Sequence, residues 1–228
     1  MEKPRLKYNL QFFGGRGAGG ESLSDSKGAP INIKNTEDVW SIRNHEGNAP
    51  YVDQINSSVA TIKNDFPGVM DTVQSVDAAT YGGADAVGTL GHWSSGSGTL
   101  AINKRYTDVQ RMNEIYDKSV ESGYHPSRGI KTGVEAVTYH EMGHALTDSL
   151  ASKMGVSNLD EASKIVVNNA YKATKGRGGT KAWAGKISGY AQDSFAECVA
   201  EAVSDYYCNG RNASANSRAI MSELRKYK

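Results

Sequence analysis

The chain contains only two cysteines and five prolines among 228 residues. No uninterrupted run of 18 apolar residues occurs in it, so no transmembrane helix is expected. An excess of charge is lacking too: 26 basic residues face 25 acidic ones, a net charge of +1. So even a balance supplies no general field for nucleic acid or for an anionic membrane surface. Lys3, Arg5 and Lys7 are followed only by the stretch Leu10-Gln11-Phe12-Phe13 before glycines begin, too short for a secretory h-region. No export signal is therefore read, and a cytoplasmic location is expected. If Cys198 and Cys208 share one helix, ten positions place them about 15 Å apart. A disulfide needs Cα atoms within roughly 7 Å, so the two read as small buried hydrophobes of a reducing compartment.

Glycine, by contrast, is abundant, and much of it lies early. The segment 1–35 includes Gly14-Gly15-Arg16-Gly17-Ala18-Gly19-Gly20 and has little to bury, so it reads as a flexible leader. From Thr36 the composition becomes globular, and 36–228 is long enough for a single domain with its own core.

The stretch that organises this domain is Tyr139-His140-Glu141-Met142-Gly143-His144-Ala145-Leu146. It contains His-Glu-x-x-His. Residues four apart on a helix share a face, one turn above the other. Two imidazoles so placed can bind one Zn²⁺, with Glu141 beside the water that the ion would activate. Val137, Thr138, Met142, Gly143, Ala145 and Leu146 carry no charge, which suits a helix entering a core. A helix is expected from Thr132 to Lys153, with Met142, Ala145, Leu146 and Leu150 as its packing stripe. Gly143 in its interior costs about 1 kcal/mol against Ala, so close approach of another backbone is expected there.

Around this helix the pattern is mostly helical. Thr36-Glu37-Asp38 reads as a cap leading through Trp40 and Ile42. Val52, Ile55, Val59 and Ile62 make a helix stripe over 51–65, stopped at Phe66-Pro67-Gly68. Val69–Ala79 reads as a strand, and 85–93 with 98–103 as a hairpin-like pair about the Ser/Gly turn at 94–98. Further helices are expected over 106–122, 158–173, 193–209 and 213–228, with a mobile basic loop at 175–180. The fold class is thus α+β, mainly helical with a small mixed sheet.

A catalytic Zn²⁺ takes three protein ligands, and two are in hand. The third is sought C-terminal to the motif helix. Asp193, Glu197, Glu201 and Asp205 fall at successive i,i+4 positions on a helix whose other residues are largely apolar. Like charges so spaced disfavour a helix by about 0.2–0.5 kcal/mol per pair. Near a core they call for a cation; otherwise the ridge is a solvated stripe. His125 is the alternative third ligand, on a loop and without a spacing match. Asp148, four positions after His144, reads as a supporting or surface residue.

Tyr190-Ala191-Gln192-Asp193-Ser194-Phe195-Ala196-Glu197-Cys198-Val199-Ala200-Glu201-Ala202 resembles the second motif of the zinc peptidases related to the anthrax lethal factor catalytic domain. That motif is a Tyr, six residues, then Glu-x-x-Ala-Glu on a helix, and the resemblance spans roughly residues 95–209. It implies a gluzincin-type site on a zincin-like fold: His140, His144 and Glu197 as ligands of Zn²⁺, Glu141 as the base, and Tyr190 facing the bound carbonyl. It also implies that Glu201 orients a ligand histidine. Cys198-Val199 departs from the aromatic pair common there, a difference of packing. Gly179-Thr180 lacks the following Asp of the peptidases that use an aspartate ligand. In such peptidases a sheet-edge strand borders the cleft and pairs with an extended substrate. Thr99-Leu100-Ala101-Ile102-Asn103 is either that strand or an ordinary sheet edge.

Lys7-Tyr8-Asn9-Leu10-Gln11-Phe12-Phe13-Gly14-Gly15-Arg16-Gly17 resembles the opening of head-morphogenesis and structural proteins from phages and prophages of Gram-positive bacteria. The expected function is a zinc-dependent endopeptidase, phage- or mobile-element-encoded, located in the bacterial host cytoplasm or on the virion. Its partners would be a protein or peptide substrate, phage structural proteins among the candidates, with no nucleic acid and no membrane. Two rivals stand beside it: a phage head-assembly component in which zinc is only structural, and a toxin or effector protease.

Overall fold

The computed structural model describes residues 49–79, 81–82 and 85–228. The leader and the cap expected at Thr36-Glu37-Asp38 lie outside these residues. In chain order the regular elements are α1 (Ala49–Asp65), β1 (Ser75–Ala79), α2 (Asp85–Gly88), β2 (Gly91–Ser94), β3 (Thr99–Asn103), α3 (Val109–Glu121), α4 (Gly133–Leu150), α5 (Leu159–Ala173), α6 (Gly179–Ala184), α7 (Phe195–Asn209) and α8 (Ala215–Leu224). The class is α+β, mainly helical with a three-stranded mixed sheet.

The motif helix α4 is the axis of the molecule. Only Glu135, Asp148 and Ser149 along it are not fully buried. A helix this enclosed cannot leave its end groups to water. Its N-terminus is accordingly closed by a capping box: the Glu135 amide donates to Thr132 Oγ1 at 3.2 Å, and the Thr132 amide donates to Glu135 Oε2 at 2.8 Å. The Gly133 amide donates to Asn113 Oδ1 at 2.6 Å. The other end stops at Leu150, followed by a 3-10 turn over Ser152–Met154 and a left-handed Gly155.

Helix α7 crosses α4 at Gly143. A Cβ on Gly143 would stand 2.8 Å from Ala200 Cα and 3.1 Å from Val203 Cβ. The backbones touch there, as the glycine's position in a helix implied. Ser204 Oγ donates to the Ala136 carbonyl at 2.9 Å, a second point of contact between the two helices. On another side of α4, α1 lays Tyr51, Ile55, Val59 and Ile62 into the core, all fully buried; Val52 is only partly so. Each such aliphatic side chain contributes about 1.5–3 kcal/mol by leaving water.

The sheet has the order β1-β3-β2, β1 running parallel to β3 and β2 antiparallel to it. This corrects the expectation for Thr99–Asn103, which is the central strand and not an edge. All five of its residues are buried. An uncharged run without alternation marks a strand covered on both faces, which is a central position. The edge beside α4 is β2, whose buried Gly91 leads the partly buried His92, Trp93 and Ser94. The Trp93 indole N–H donates to Asp148 Oδ2 at 3.3 Å, tying this strand to α4 one turn beyond His144.

Other boundaries move as well: the arm expected over 85–93 opens with the helical turn α2 and is a strand only from Gly91, α3 begins at Val109, and α8 spans Ala215–Leu224. Residues 67–71 form a 3-10 turn beginning at Pro67, so the strand expected from Val69 starts only at Ser75. The basic loop of 175–180 is cut short by α6, which begins at Gly179 behind a left-handed Gly178. Helix α7 begins at Phe195, with Ser194 as its N-cap, so Asp193 precedes the helix.

Candidate metal centre

His140 and His144 rise from the same face of α4, and Glu197 comes from the first turn of α7. Ser194 Oγ accepts the Glu197 amide at 3.0 Å. A Glu at this third helical position commonly folds back onto the N-cap amide; here its carboxylate reaches across to the histidines instead. Its Oε2 lies 3.1 Å from His140 Nε2 and 3.4 Å from His144 Nε2, and the two Nε2 atoms are 3.2 Å apart. Three donor atoms thus form a nearly equilateral triangle. Donors around a tetrahedral Zn²⁺, at about 2.0–2.1 Å from it, stand about 3.3 Å from one another. Oε2 is buried yet makes no hydrogen bond, although two imidazole nitrogens crowd it. The donor set fits a metal ion.

Glu141 belongs to the same cluster: ligand atoms of His140, Glu141 and His144 fall within 4.8 Å of one another. Two carboxylates therefore compete for the third position. Glu197 Oε2 approaches both imidazoles, at 3.1 and 3.4 Å, and closes the triangle, with Glu141 beside it. Glu141 Oε1 is buried with no hydrogen-bond partner. The edge strand β2 runs against it, since a Cβ built on Gly91 would stand 3.1 Å from that oxygen and 2.8 Å from the Ala101 carbonyl. Only glycine lets β2 pass so near.

Tyr190 sits in the 3-10 turn Tyr190–Gln192 just before α7, and it is 4 % exposed. Its ring stacks on that of His140, with centroids 5.9 Å apart and planes at 21°. Burial, reinforced by the Glu197 charge and a hydrogen bond to that carboxylate, pushes its hydroxyl far above the usual phenol range. The hydroxyl therefore keeps its proton and is a donor. Backbone bonds fasten this turn to the loop after α3: the Gly189 amide donates to the Gly123 carbonyl at 2.8 Å, and the Tyr190 amide to that of Tyr124 at 2.9 Å.

Glu201, one turn beyond Glu197, is 1 % exposed and accepts His140 Nδ1 on Oε1 at 2.8 Å. The same carboxylate accepts His125 Nδ1, at 3.0 Å on Oε1 and 3.2 Å on Oε2, and Ser188 Oγ at 2.6 Å on Oε2. His125 is thus not turned toward the triangle but toward Glu201. Of the acidic ridge, only its two middle members face histidines. Asp205 is satisfied without a cation, by the Ser214 amide at 2.8 Å, Ser217 Oγ at 2.6 Å and Asn209 Nδ2 at 2.8 Å. Asp193 is exposed, and its carboxyl is raised by what burial it has and by the charge of Glu197.

Three buried carboxylates, Glu141, Glu197 and Glu201, accumulate here, and among the described residues no Lys or Arg pairs with them. Burial pushes Glu141 up, and the other two carboxylates add to it against the two histidines, to about 7. Burial would raise Glu197 and Glu201 as well, but adjacent imidazoles reverse it; Glu201 falls to about 2 and Glu197 lower still. Burial would lower His140, yet Glu197 and Glu201 lift it to about 10. The cluster draws a positive charge into the triangle, and either a proton or a metal ion can supply it.

Sequence reasoning missed Gly91 and Ser188, and it weighed His125 for a ligand's place. Nothing in local spacing links a loop histidine to a glutamate 76 positions later. Among the described residues no helix is long and apolar enough to cross a membrane. A scan against protein-family models, a search of curated proteins and a search of solved structures each returned no match.

Proposed function

We propose that this chain is a zinc-dependent endopeptidase of the gluzincin type, on a zincin-like fold. The observation that carries the reading is the triangle of His140 Nε2, His144 Nε2 and Glu197 Oε2 with the partnerless Glu141 Oε1 beside it. Zinc is the ion of choice for two imidazoles and one carboxylate. When bound, it would polarise a scissile carbonyl and make water acidic enough to attack near neutral pH.

The protein groups supply the rest. Glu141 takes the proton of the attacking water on its free oxygen and passes it to the departing amine. Tyr190, a neutral phenol on the His140 side, donates toward the oxygen on which negative charge develops. Edge strand β2, passing Glu141 at Gly91, offers main-chain groups to an extended peptide. The substrate would therefore be a protein or peptide, and the leader's resemblance makes phage structural proteins the first candidates. A purely structural zinc would be closed by four protein ligands; His125 is engaged with Glu201, so only Glu141 could close the site, and the Glu141→Gln variant decides between the two readings.

Hydrolysis of an unbiased peptide library by the zinc-loaded chain, read by mass spectrometry, tests the proposal. Cleavage is expected in wild type and absent in Glu141→Gln at the same zinc content. Equal cleavage by both would overturn it.

A further inference from the structure

The four-residue repeat of carboxylates on α7 raises a question that the triangle alone does not answer. Glu197 and Glu201 lie on one face, and both touch His140, on Nε2 and Nδ1 respectively. Two carboxylates on the same histidine could exchange roles, or both swing toward the ion. What distinguishes them is the company that Glu201 keeps.

Glu201 is met from three separate elements. His140 Nδ1 comes from α4, His125 Nδ1 from the loop after α3, and Ser188 Oγ from the turn before Tyr190. Oε1 carries both imidazoles, and Oε2 carries the serine at 2.6 Å with His125 at 3.2 Å. The serine's own orientation is fixed, because Ser188 Oγ accepts the Ala191 amide at 3.0 Å and so turns its hydrogen to Glu201. His125 is held by rings on several sides: stacked on Tyr116 at 5.4 Å and 11°, and edge-on to Tyr124 at 5.0 Å and to Tyr190 at 5.6 Å. Rotating the Glu201 carboxylate would abandon all of these donors at a buried position, where polar groups left unpaired are costly.

We propose that His125 and Ser188 are positioning residues that clasp Glu201 as a pure acceptor for His140 Nδ1–H, keeping it off the metal and fixing His140 with Nε2 free to ligate. The inference rests on the metal reading above and adds to it a reason why Glu197, and not Glu201, is the ligand. An imidazole that ligates through Nε2 must carry its proton on Nδ1, and a carboxylate held against that proton sets both tautomer and ring orientation. The clasp also shares its scaffold with Tyr190. The backbone bonds from Gly189 to Gly123 and from Tyr190 to Tyr124 join the serine's turn to the histidine's loop. One zipped unit therefore delivers His125, Ser188 and Tyr190 to the site.

The test uses the full chain and its metal affinity. Zn²⁺ dissociation constants are measured by competition with a chromophoric chelator, and the visible spectrum of the Co²⁺-substituted protein reports ligand geometry. His125→Phe keeps the ring against Tyr116 but removes the donor. It is expected to weaken Zn²⁺ binding by about 10–100-fold and to alter the Co²⁺ bands. His125→Asn, which places an N–H near the former Nδ1, should recover most of the affinity and the wild-type spectrum. Ser188→Ala should weaken binding in the same direction, and it carries the test alone should His125→Phe fail to fold. Wild-type affinity and spectrum in both His125→Phe and Ser188→Ala, or equal impairment of His125→Asn and His125→Phe, would overturn the clasp while leaving the metal site standing. A wild-type chain that binds neither ion would overturn the metal reading and the clasp together.

Discussion

Gly143 of α4 and Ala200 of α7 meet backbone to backbone: a Cβ on the glycine would lie 2.8 Å from the alanine's Cα. This contact sets the distance at which α7 presents Glu197 and Glu201 to His140 and His144. A wider spacing would leave the carboxylates short of the imidazoles. Gly143→Ala is therefore expected to act in two ways. Its better helix propensity is worth about 1 kcal/mol, but pushing two buried helices apart costs about 1–3 kcal/mol. The net prediction is modest destabilisation in chemical denaturation, together with a loss of Zn²⁺ affinity out of proportion to it. An affinity unchanged from wild type would mean that the crossing does not set the site.

Glu141 should separate chemistry from binding. Its Oε1 has no partner and it is not needed to complete the triangle. Glu141→Gln is expected to hold zinc in wild-type amount and lose peptide hydrolysis by at least about 100-fold, the low end of what a positioned general base contributes. Zinc analysis and turnover on the same preparation check this. Loss of zinc in the variant would instead make Glu141 a ligand.

On the proposed reading the Tyr190 hydroxyl acts on the reacting oxygen, while its ring stacks on His140. Tyr190→Phe keeps the ring and removes the hydroxyl. A fall in kcat of about 100–1000-fold, the range for loss of one oxyanion donor, with little change in KM or zinc content is the expected result. Steady-state kinetics on a cleavable peptide read it, and an unchanged kcat would take the hydroxyl out of the mechanism.

Away from the site, the end of α1 is tied to the C-terminus through Asp65. Its carboxylate accepts Arg225 at 2.6 Å, Tyr207 at 2.9 Å and Lys228 at 3.2 Å. Partial burial by itself raises this carboxyl, and the three donors more than reverse it, so its pKa in the fold is lowered. A depressed folded-state value contributes stability above the unfolded pKa, about 3.9 for Asp, and that contribution is lost as pH falls through the folded value. Asp65→Asn should therefore cost stability at pH 7, by about 1 kcal/mol or less because the group is part-exposed and screened. The difference should shrink below about pH 4. Thermal unfolding of both proteins across pH 3–7 measures it, and a gap that does not narrow in acid would contradict the assignment.

Much of this arrangement was legible because helices write their faces locally. His140 with His144, and Glu197 with Glu201, are each one turn apart, and that spacing carries over directly into three dimensions. Gly143 was legible for the same reason, since a glycine in a buried helix asks for a close neighbour. The sheet was read less well. Thr99–Asn103 and Gly91–Ser94 are both short, and which of them is central depends on what covers each face. Asp205 looked like part of a metal-seeking ridge because spacing does not record that the start of α8 would bring Ser214 and Ser217 to it. His125 and Ser188 reach Glu201 only through the folded path of two loops, and no periodicity encodes such a meeting.

His140, His144 and Glu197 are proposed to hold one metal ion. Elemental analysis of the purified chain, set beside His144→Ala and Glu197→Ala, decides this. Close to one zinc per wild-type chain and a large loss in each variant are expected. Full zinc in Glu197→Ala would assign the third ligand elsewhere, and wild-type protein that takes up no metal from a zinc-containing buffer would contradict the claim outright.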